Sequence, residues 1–237
     1  MLKKPSRLIA VSVITLLLCA PPGILLCMKF IESKSYYAAS LIVIICALIP
    51  FFVFFEKRRI KTGEIVLVAM MTALAVASRS VMIFVPQVKP TAALVIVTAI
   101  AFGPNVGFLT GALSMLMSNF IFGQGMFTPF QMLGMGLVGF FSGLIFSGKP
   151  YFNKRLPVSI AGGILTFAVY GFIADSCSVI MLLNNITLSS AAAVYLSGIS
   201  FNIIHGVTTA LLLFVINKPM AEKFSRLRIK YGIFATE

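Results

Sequence analysis

The sequence comprises 237 residues, of which 59% are hydrophobic and only 11% are charged, and its formal net charge is +13. A soluble domain contains roughly a quarter charged residues, so this composition excludes a soluble globular protein. Apolar runs of about 18 residues or more recur along the chain, and each could cross a bilayer core of about 30 Å. We therefore predict an all-α fold, a polytopic transmembrane helical bundle.

The surplus of basic residues is explained by the retention of Lys and Arg on the cytoplasmic side of membrane proteins, so it does not indicate nucleic-acid binding. All four cysteines lie in apolar segments without a CxxC pair, which favours packing over disulfides or a metal site. They are Cys19, Cys27, Cys46 and Cys177. We expect no metal and no cofactor.

Eight apolar segments are the predicted spans: 7–28, 36–55, 64–85, 91–103, 105–121, 129–147, 158–183 and 191–216. The first resembles a signal peptide but lacks a small-residue cleavage site, so we interpret it as a retained helix. "FGPNVG" separates the fourth and fifth spans, because Pro104 and two glycines interrupt a helix.

Counting 91–121 as two crossings places fifteen of the nineteen basic residues in the cytoplasm. A single crossing would place the basic residues after 148 outside. The sequence therefore predicts a plasma-membrane protein with both termini in the cytoplasm. The loops "FVPQVKP" (84–90), "FGQGMFTPFQ" (122–131) and "NNITLSS" (184–190) would then share the outer face.

Ionisable side chains inside spans are costly and indicate functional positions. Arg79 and Asp175 are predicted about 10 Å below the outer surface, from a rise of about 1.5 Å per residue. They could form an ion pair that joins two helices, or line a solvated cavity and contact a polar ligand; Arg79 could instead extend outward alone. His205 shares a helix face with Asn202, where either packing or ligand contact is consistent with the pattern.

Polar residues of the three outer loops and their helix ends complete the predicted ligand site. In "NFIFGQGMFTPFQMLGMG" (119–136), Gly123 and Gly125 permit a tight turn and Pro129 starts the next helix. The alternative is a plain connecting loop. The candidate binding residues are Arg79, Gln87, Lys89, Asn119, Gln124, Phe127, Gln131, Asp175, Asn202 and His205.

Signals for catalysis are poor, and we expect no enzyme activity. The chain has one Asp and one His, too few for an intramembrane aspartyl protease or a His-Glu-x-x-His zinc site. "GLIFSGKP" (143–150) nearly spells a phosphate loop, but Pro150 replaces the required Ser or Thr.

Small residues recur at a spacing of four in "EIVLVAMMTALAVASRS", at Ala69, Ala73 and Ala77. Such a face lets another helix approach closely in lipid. It could pack inside the bundle or dock a partner membrane subunit.

Three further segments are "QVKPTAALVI", "AFGPNVGFLTGALS" and "SNFIFGQGMFTPFQM". They resemble the substrate-binding S component of an energy-coupling factor (ECF) vitamin transporter, in a subgroup similar to the cobalamin-type S component. The resemblance implies a six-helix core over 64–217, a vitamin-sized ligand near the outer face, and contact of the alanine face with a transmembrane T component. Two cytoplasmic ATPases would drive import, and the S component would topple in the membrane to release its substrate.

The remaining segments would be two additional N-terminal transmembrane helices (1–63) and a basic cytoplasmic tail (218–237). Two alternatives stay open from the sequence. One is a stand-alone secondary carrier that uses Asp175 as a proton site, and the other is a membrane scaffold without a small ligand.

Overall fold

A computed structural model describes residues 62–85, 88–148, 154–183 and 186–231, except for the side chain of Arg228. The two predicted spans before residue 62 and the predicted site residue Gln87 lie outside the described residues. The elements are α1 (Thr62–Val81), α2 (Thr91–Phe102), α3 (Pro104–Phe122), α4 (Phe127–Phe146), α5 (Arg155–Leu165), a π-helical turn (Thr166–Tyr170), α6 (Gly171–Leu182) and α7 (Leu188–Tyr231).

The described part of the chain is entirely helical, as predicted from its apolar runs. Five helices in it are long and apolar enough to cross a membrane: α1, α3, α4, the continuous helix from Arg155 to Leu182, and α7. The prediction of a helical membrane bundle is confirmed.

The short helix α2 forms the centre of the bundle. At 1.5 Å per residue its 12 residues extend about 18 Å, less than a bilayer core. All of its residues except Ala101 are buried, and it packs against α1, α3, α4 and α7. An apolar helix without a polar face is stable when neighbouring helices enclose it on every side.

The break between α2 and α3 lies where the sequence predicts it. Gly103 has φ 104°, a conformation that a side chain would strain, and Pro104 is the first residue of α3. The backbone N–H of Gly103 still donates a hydrogen bond to Ala99 O at 2.8 Å. One carbonyl group of the last turn of α2 therefore has a backbone partner.

Glycines allow two helix pairs to approach closely. A Cβ atom on Gly107 of α3 would lie 2.8 Å from the carbonyl oxygen of Gly139 on α4. Gly163 of α5 and Gly206 of α7 face each other in the same way, each 2.9 Å from the other's carbonyl oxygen when a Cβ is added. Helices in lipid gain their association from such tight packing.

The helix α7 extends well beyond its predicted end at residue 216. It continues through Pro219 to Tyr231, so much of the segment predicted as a tail is helical. The reason is tertiary: Ala221 and Phe224 are buried, and the Phe224 ring packs edge-on against Phe102 at the end of α2, with centroids 4.9 Å apart.

The two ends of the bundle differ in charge. Lys89 of the α1–α2 connection, Phe127 at the start of α4 and Leu182 at the end of α6 line one cavity, so these chain segments share one end of the bundle. At the opposite end, basic side chains are exposed on α5 and on the last turns of α7. They are Lys154, Arg155, Lys218, Lys223, Arg226 and Lys230.

Candidate functional site

A cavity of about 480 Å³ lies at the end of the bundle that holds Lys89, the start of α4 and the end of α6. Aromatic and aliphatic side chains form most of its wall, and a few polar groups interrupt them. Its lining includes Lys89, Phe127, Phe130, Gln131, Tyr170, Asp175, Ser178, Met181, Val194, Ser197, Gly198 and Phe201. A concave, mostly apolar site with a few polar groups is typical of a small-molecule site.

Helical periodicity explains how α6 and α7 form one side of the cavity. On α7, Val194, Gly198 and Phe201 recur at intervals of four and three residues, and so share one face. The π-helical turn directly before α6 shifts the helical phase. Tyr170, the last residue of that turn, also lines the cavity.

Asp175 is held in the α6–α7 wall by a partner on the facing helix. Its Oδ2 accepts a hydrogen bond from Asn202 Nδ2 at 2.8 Å. Gly198 makes room for this carboxylate, because a Cβ atom there would lie 2.7 Å from Asp175 Cγ. Asp175 is buried, with 9% of its surface exposed, and it offers a hydrogen-bond acceptor at the cavity.

Gln131 presents an amide on the α4 side of the cavity. Its Oε1 accepts a hydrogen bond from Asn119 Nδ2 at 2.9 Å. Asn119 is completely buried and also donates to Thr128 Oγ1 at 3.0 Å. Asn119 therefore stands behind the cavity wall and supports a residue that lines it.

Arg79 and Asp175, which the sequence places at one depth, have separate partners. Arg79 Nη1 donates to Asn119 Oδ1 at 3.1 Å and to Ser118 Oγ, and its guanidinium lies 4.5 Å from the centre of the Phe122 ring. Arg79 is buried, so it does not extend outward alone. It joins α1 to the end of α3, and its hydrogen bond to Asn119 links it to Gln131 in the cavity wall.

Lys89, from the α1–α2 connection, brings a cation to the cavity. Its Nζ lies 4.9 Å from the centre of the Phe201 ring, a cation–π arrangement. Burial in the cavity wall, with a smaller contribution from the charge of Arg79, lowers the pKa of Lys89 to about 8.

His205 and Asn202 lie one layer behind the cavity. The His205 ring is fully buried and packs edge-on against Tyr170, with centroids 5.1 Å apart. Phe201 contacts the same ring from its own helix at 6.0 Å. His205 thus supports two side chains that line the cavity, while Asn202 orients Asp175.

Two predicted site residues lie near the α3–α4 turn, one at the start of α4 that faces the cavity and one in the connection that does not. Phe127 lines the cavity. Gln124 is exposed, and its Nε2 donates to Leu116 O at 3.0 Å, which closes the end of α3. Gly123 adopts φ 100°, as the predicted tight turn requires, and α4 begins at Phe127 with Pro129 in its first turn.

Comparison with known families decides the identity of this bundle. Residues 59–222 match the model of the family described as ECF-type riboflavin transporter, S component. The chain belongs to this family. The match does not confirm the cobalamin-type subgroup. Among curated proteins and solved structures, no significant match to the chain is found.

Family membership gives the coarse function directly. The protein is the substrate-binding membrane subunit of an ECF vitamin transporter, a multi-pass protein of the plasma membrane. S components act with a T component and ATPases on a small-molecule ligand. Among the described residues of this S component, no group of three His, Cys, Asp or Glu side chains could hold a metal ion.

Sequence reasoning missed two aromatic residues of the S-component cavity. Tyr170 and Phe201 line it, but aromatic residues are abundant in this chain, with 22 Phe and 6 Tyr, so composition does not distinguish the cavity residues from the others. The available signal was helical spacing, since Phe201 lies one turn before the candidate His205 and Tyr170 lies five residues before Asp175.

The alanine face of the S component is free of helices in the described structure. Ala69, Ala73 and Ala77 are all exposed on α1. Met70 and Leu74 beside them are also exposed, at 53% and 46%. The sequence left two interpretations of this alanine face, packing inside the bundle or docking of a partner membrane subunit. The face does not pack against the other described helices.

Proposed function

We propose that this S component captures riboflavin or a closely related flavin in the cavity between α4, α6 and α7. The observation that carries the proposal is the cavity itself, because its volume of about 480 Å³ suits a single flavin-sized molecule. Phe127, Phe130 and Phe201 offer faces for a planar tricyclic ring. Gln131 and Asp175 offer polar partners to its carbonyl, imide or hydroxyl groups.

The charge distribution supports an outward-facing cavity. The exposed basic side chains of α5 and α7 lie at the end of the bundle opposite the cavity, and such residues favour the cytoplasmic side. The cavity then opens to the outside, and the carboxyl end of α7 lies in the cytoplasm.

A cobalamin-type ligand suits this cavity less well than a flavin. A corrin ring with its nucleotide loop is far larger than the cavity, whereas the isoalloxazine ring and ribityl chain of riboflavin are not.

We propose further that the exposed alanine face of α1 docks the T component. Small side chains at Ala69, Ala73 and Ala77 let a second helix approach closely in lipid. Two cytoplasmic ATPases then supply the energy for import, and the S component releases the flavin inward by toppling in the membrane.

Flavin fluorescence tests the ligand. Quenching of the flavin's own emission on adding purified protein in lipid nanodiscs reports binding directly. We expect the protein to quench riboflavin emission saturably, with one riboflavin bound per protein. Excess cobalamin should not restore the emission. If the protein binds cobalamin, or purifies with another vitamin, and does not bind riboflavin, the flavin assignment is wrong.

Uptake measurements test the mode of transport. We expect cells expressing this chain to accumulate labelled riboflavin only with a co-expressed T component and ATPases. Asp175 faces the cavity and so could serve a stand-alone carrier as a proton site. Uptake that follows an imposed proton gradient without ATPases, and is lost in Asp175→Asn, would support that carrier instead.

A further inference from the structure

The relay Arg79–Asn119–Gln131, three side chains joined by hydrogen bonds, determines which atom of Gln131 faces the cavity. Arg can only donate hydrogen bonds. The Asn119 atom that lies 3.1 Å from Arg79 Nη1 must therefore be the carbonyl oxygen, Oδ1. The orientation of the buried Asn119 amide follows from this chemistry.

The orientation of the Asn119 amide determines the orientation of the Gln131 amide. With Oδ1 on Arg79, Asn119 directs its NH₂ group to Thr128 Oγ1 at 3.0 Å and to Gln131 at 2.9 Å. The Gln131 atom that meets an N–H must be its oxygen, Oε1. The Gln131 NH₂ group is left to donate into the cavity that Gln131 lines.

The opposite wall has the reverse polarity. Asn202 Nδ2 donates to Asp175 Oδ2 at 2.8 Å, so the Asp175 carboxylate acts as an acceptor. The cavity thus has a donor on the α4 side and an acceptor on the α6–α7 side. A ligand that fits both must present an acceptor to one wall and a donor to the other.

We propose that Arg79 and Asn119 are positioning residues that set ligand specificity by holding Gln131 as a hydrogen-bond donor toward a carbonyl or ring nitrogen of the ligand. This inference rests on the proposed function, because the ligand class is taken from it. Neither residue contacts the cavity directly. Both act through the amide of Gln131.

The substitution Asn119→Asp tests the relay with almost no change in shape. A carboxylate at position 119 still accepts from Arg79 but has no N–H to donate. Gln131 must then turn its NH₂ group toward residue 119 and present Oε1 to the cavity. The donor of the cavity wall becomes an acceptor.

The measurement is a ratio of affinities in nanodiscs. Riboflavin is compared with three analogues that each lose one acceptor, N5 replaced by carbon, or O2 or O4 replaced by sulfur. In the wild-type protein we expect one analogue to bind about three- to tenfold more weakly than riboflavin, the effect of one neutral hydrogen bond. In Asn119→Asp we expect the ratio for that analogue to fall to about one.

Ser118→Ala is the matched control. It removes another partner of Arg79 but leaves the contact between Asn119 and Gln131, so the wild-type ratio should persist. A purely structural role of Asn119 would weaken all four ligands equally. An unchanged ratio in Asn119→Asp, or a wild-type protein that discriminates against none of the analogues, overturns the proposal.

A second measurement works on the ligand-free protein and separates this inference from the flavin assignment. The chain contains only three glutamines, Gln87, Gln124 and Gln131, so the side-chain NH₂ signals of ¹⁵N-glutamine-labelled protein can be assigned with Gln131→Leu. We expect the Gln131 signals to exchange with water in the wild type and to be protected in Asn119→Asp. If riboflavin does not bind but the Gln131 signals show this difference in protection, only the proposed ligand is wrong. If the Gln131 signals exchange equally in both proteins, the relay is wrong.

Discussion

The Nζ atom of Lys89 lies 4.9 Å from the centre of the Phe201 ring, so a cation from the α1–α2 connection is held against an aromatic side chain of α7. Both residues line the cavity. This contact joins a loop to a membrane helix within the cavity wall, so the protonation state of Lys89 should affect the binding of a ligand there.

Ligand affinity should depend on pH through Lys89. Its pKa is lowered to about 8, so the ammonium is charged below that pH and loses its proton as the pH rises through it. A charged donor forms stronger hydrogen bonds than a neutral amine. We expect riboflavin affinity to be constant below about pH 7 and to fall about three- to tenfold by about pH 9.

Lys89→Met provides the control for this titration. Its affinity should be low and nearly independent of pH over the same interval, as measured by flavin quenching. A wild-type affinity that rises with pH would show that the positive charge of Lys89 opposes binding.

Gly198→Ala should block the Asp175 side of the cavity. The added methyl group would lie 2.7 Å from Asp175 Cγ, so the carboxylate must move into the space available to the ligand. We expect at least a tenfold loss of riboflavin affinity, about 1.4 kcal/mol, in a protein that still folds.

Ser197→Ala is the neighbouring control for Gly198. Ser197 lines the same cavity, but its hydroxyl donates to Val194 O at 2.7 Å within α7, so its loss adds no bulk. Its affinity should remain within about twofold of the wild-type value. Equal losses in the two variants would argue against steric blocking at Gly198.

Ala73→Leu should separate docking from ligand capture. Ala73 is exposed in the middle of the alanine face, and a larger side chain there holds a partner helix away. We expect co-purification with the T component and ATPases to be lost while riboflavin affinity is unchanged. Ala193→Leu adds the same bulk to an exposed position of α7, and co-purification should persist in it.

Gly206→Ala should destabilise the contact between α5 and α7. Its Cβ would lie 2.9 Å from Gly163 O and 3.2 Å from Phe167 Cβ, and overpacking of this kind costs about 1–3 kcal/mol. The expected result is a lower Tm of the ligand-free protein. Val207→Ala, at an adjacent residue that is 53% exposed, removes two methyl groups without overpacking the contact and should lower the Tm less.

Much of the fold followed from local properties of the chain. The apolar segments after residue 62 predicted the helices that the structure describes there, and "FGPNVG" predicted the break at Gly103 and Pro104, because span length and backbone conformation depend on neighbouring residues. The end of α7 did not follow, since residues after 216 are helical through packing of Phe224 on Phe102, a contact between distant parts of the sequence.

The sequence also named Lys89, Gln131 and Asp175 as candidates, and the structure places all three at the cavity. Asp175 stands out because a polar group inside an apolar helix is costly, whereas Lys89 and Gln131 were named from their places in the predicted outer loops. Only the tertiary structure decided their partners. Depth along a span can be counted from the sequence, but the rotation of each helix about its axis is set by non-local contacts such as Gly163 with Gly206. That rotation places Arg79 on Asn119 and Asp175 on Asn202, and it brings Tyr170 and Phe201 into the cavity wall.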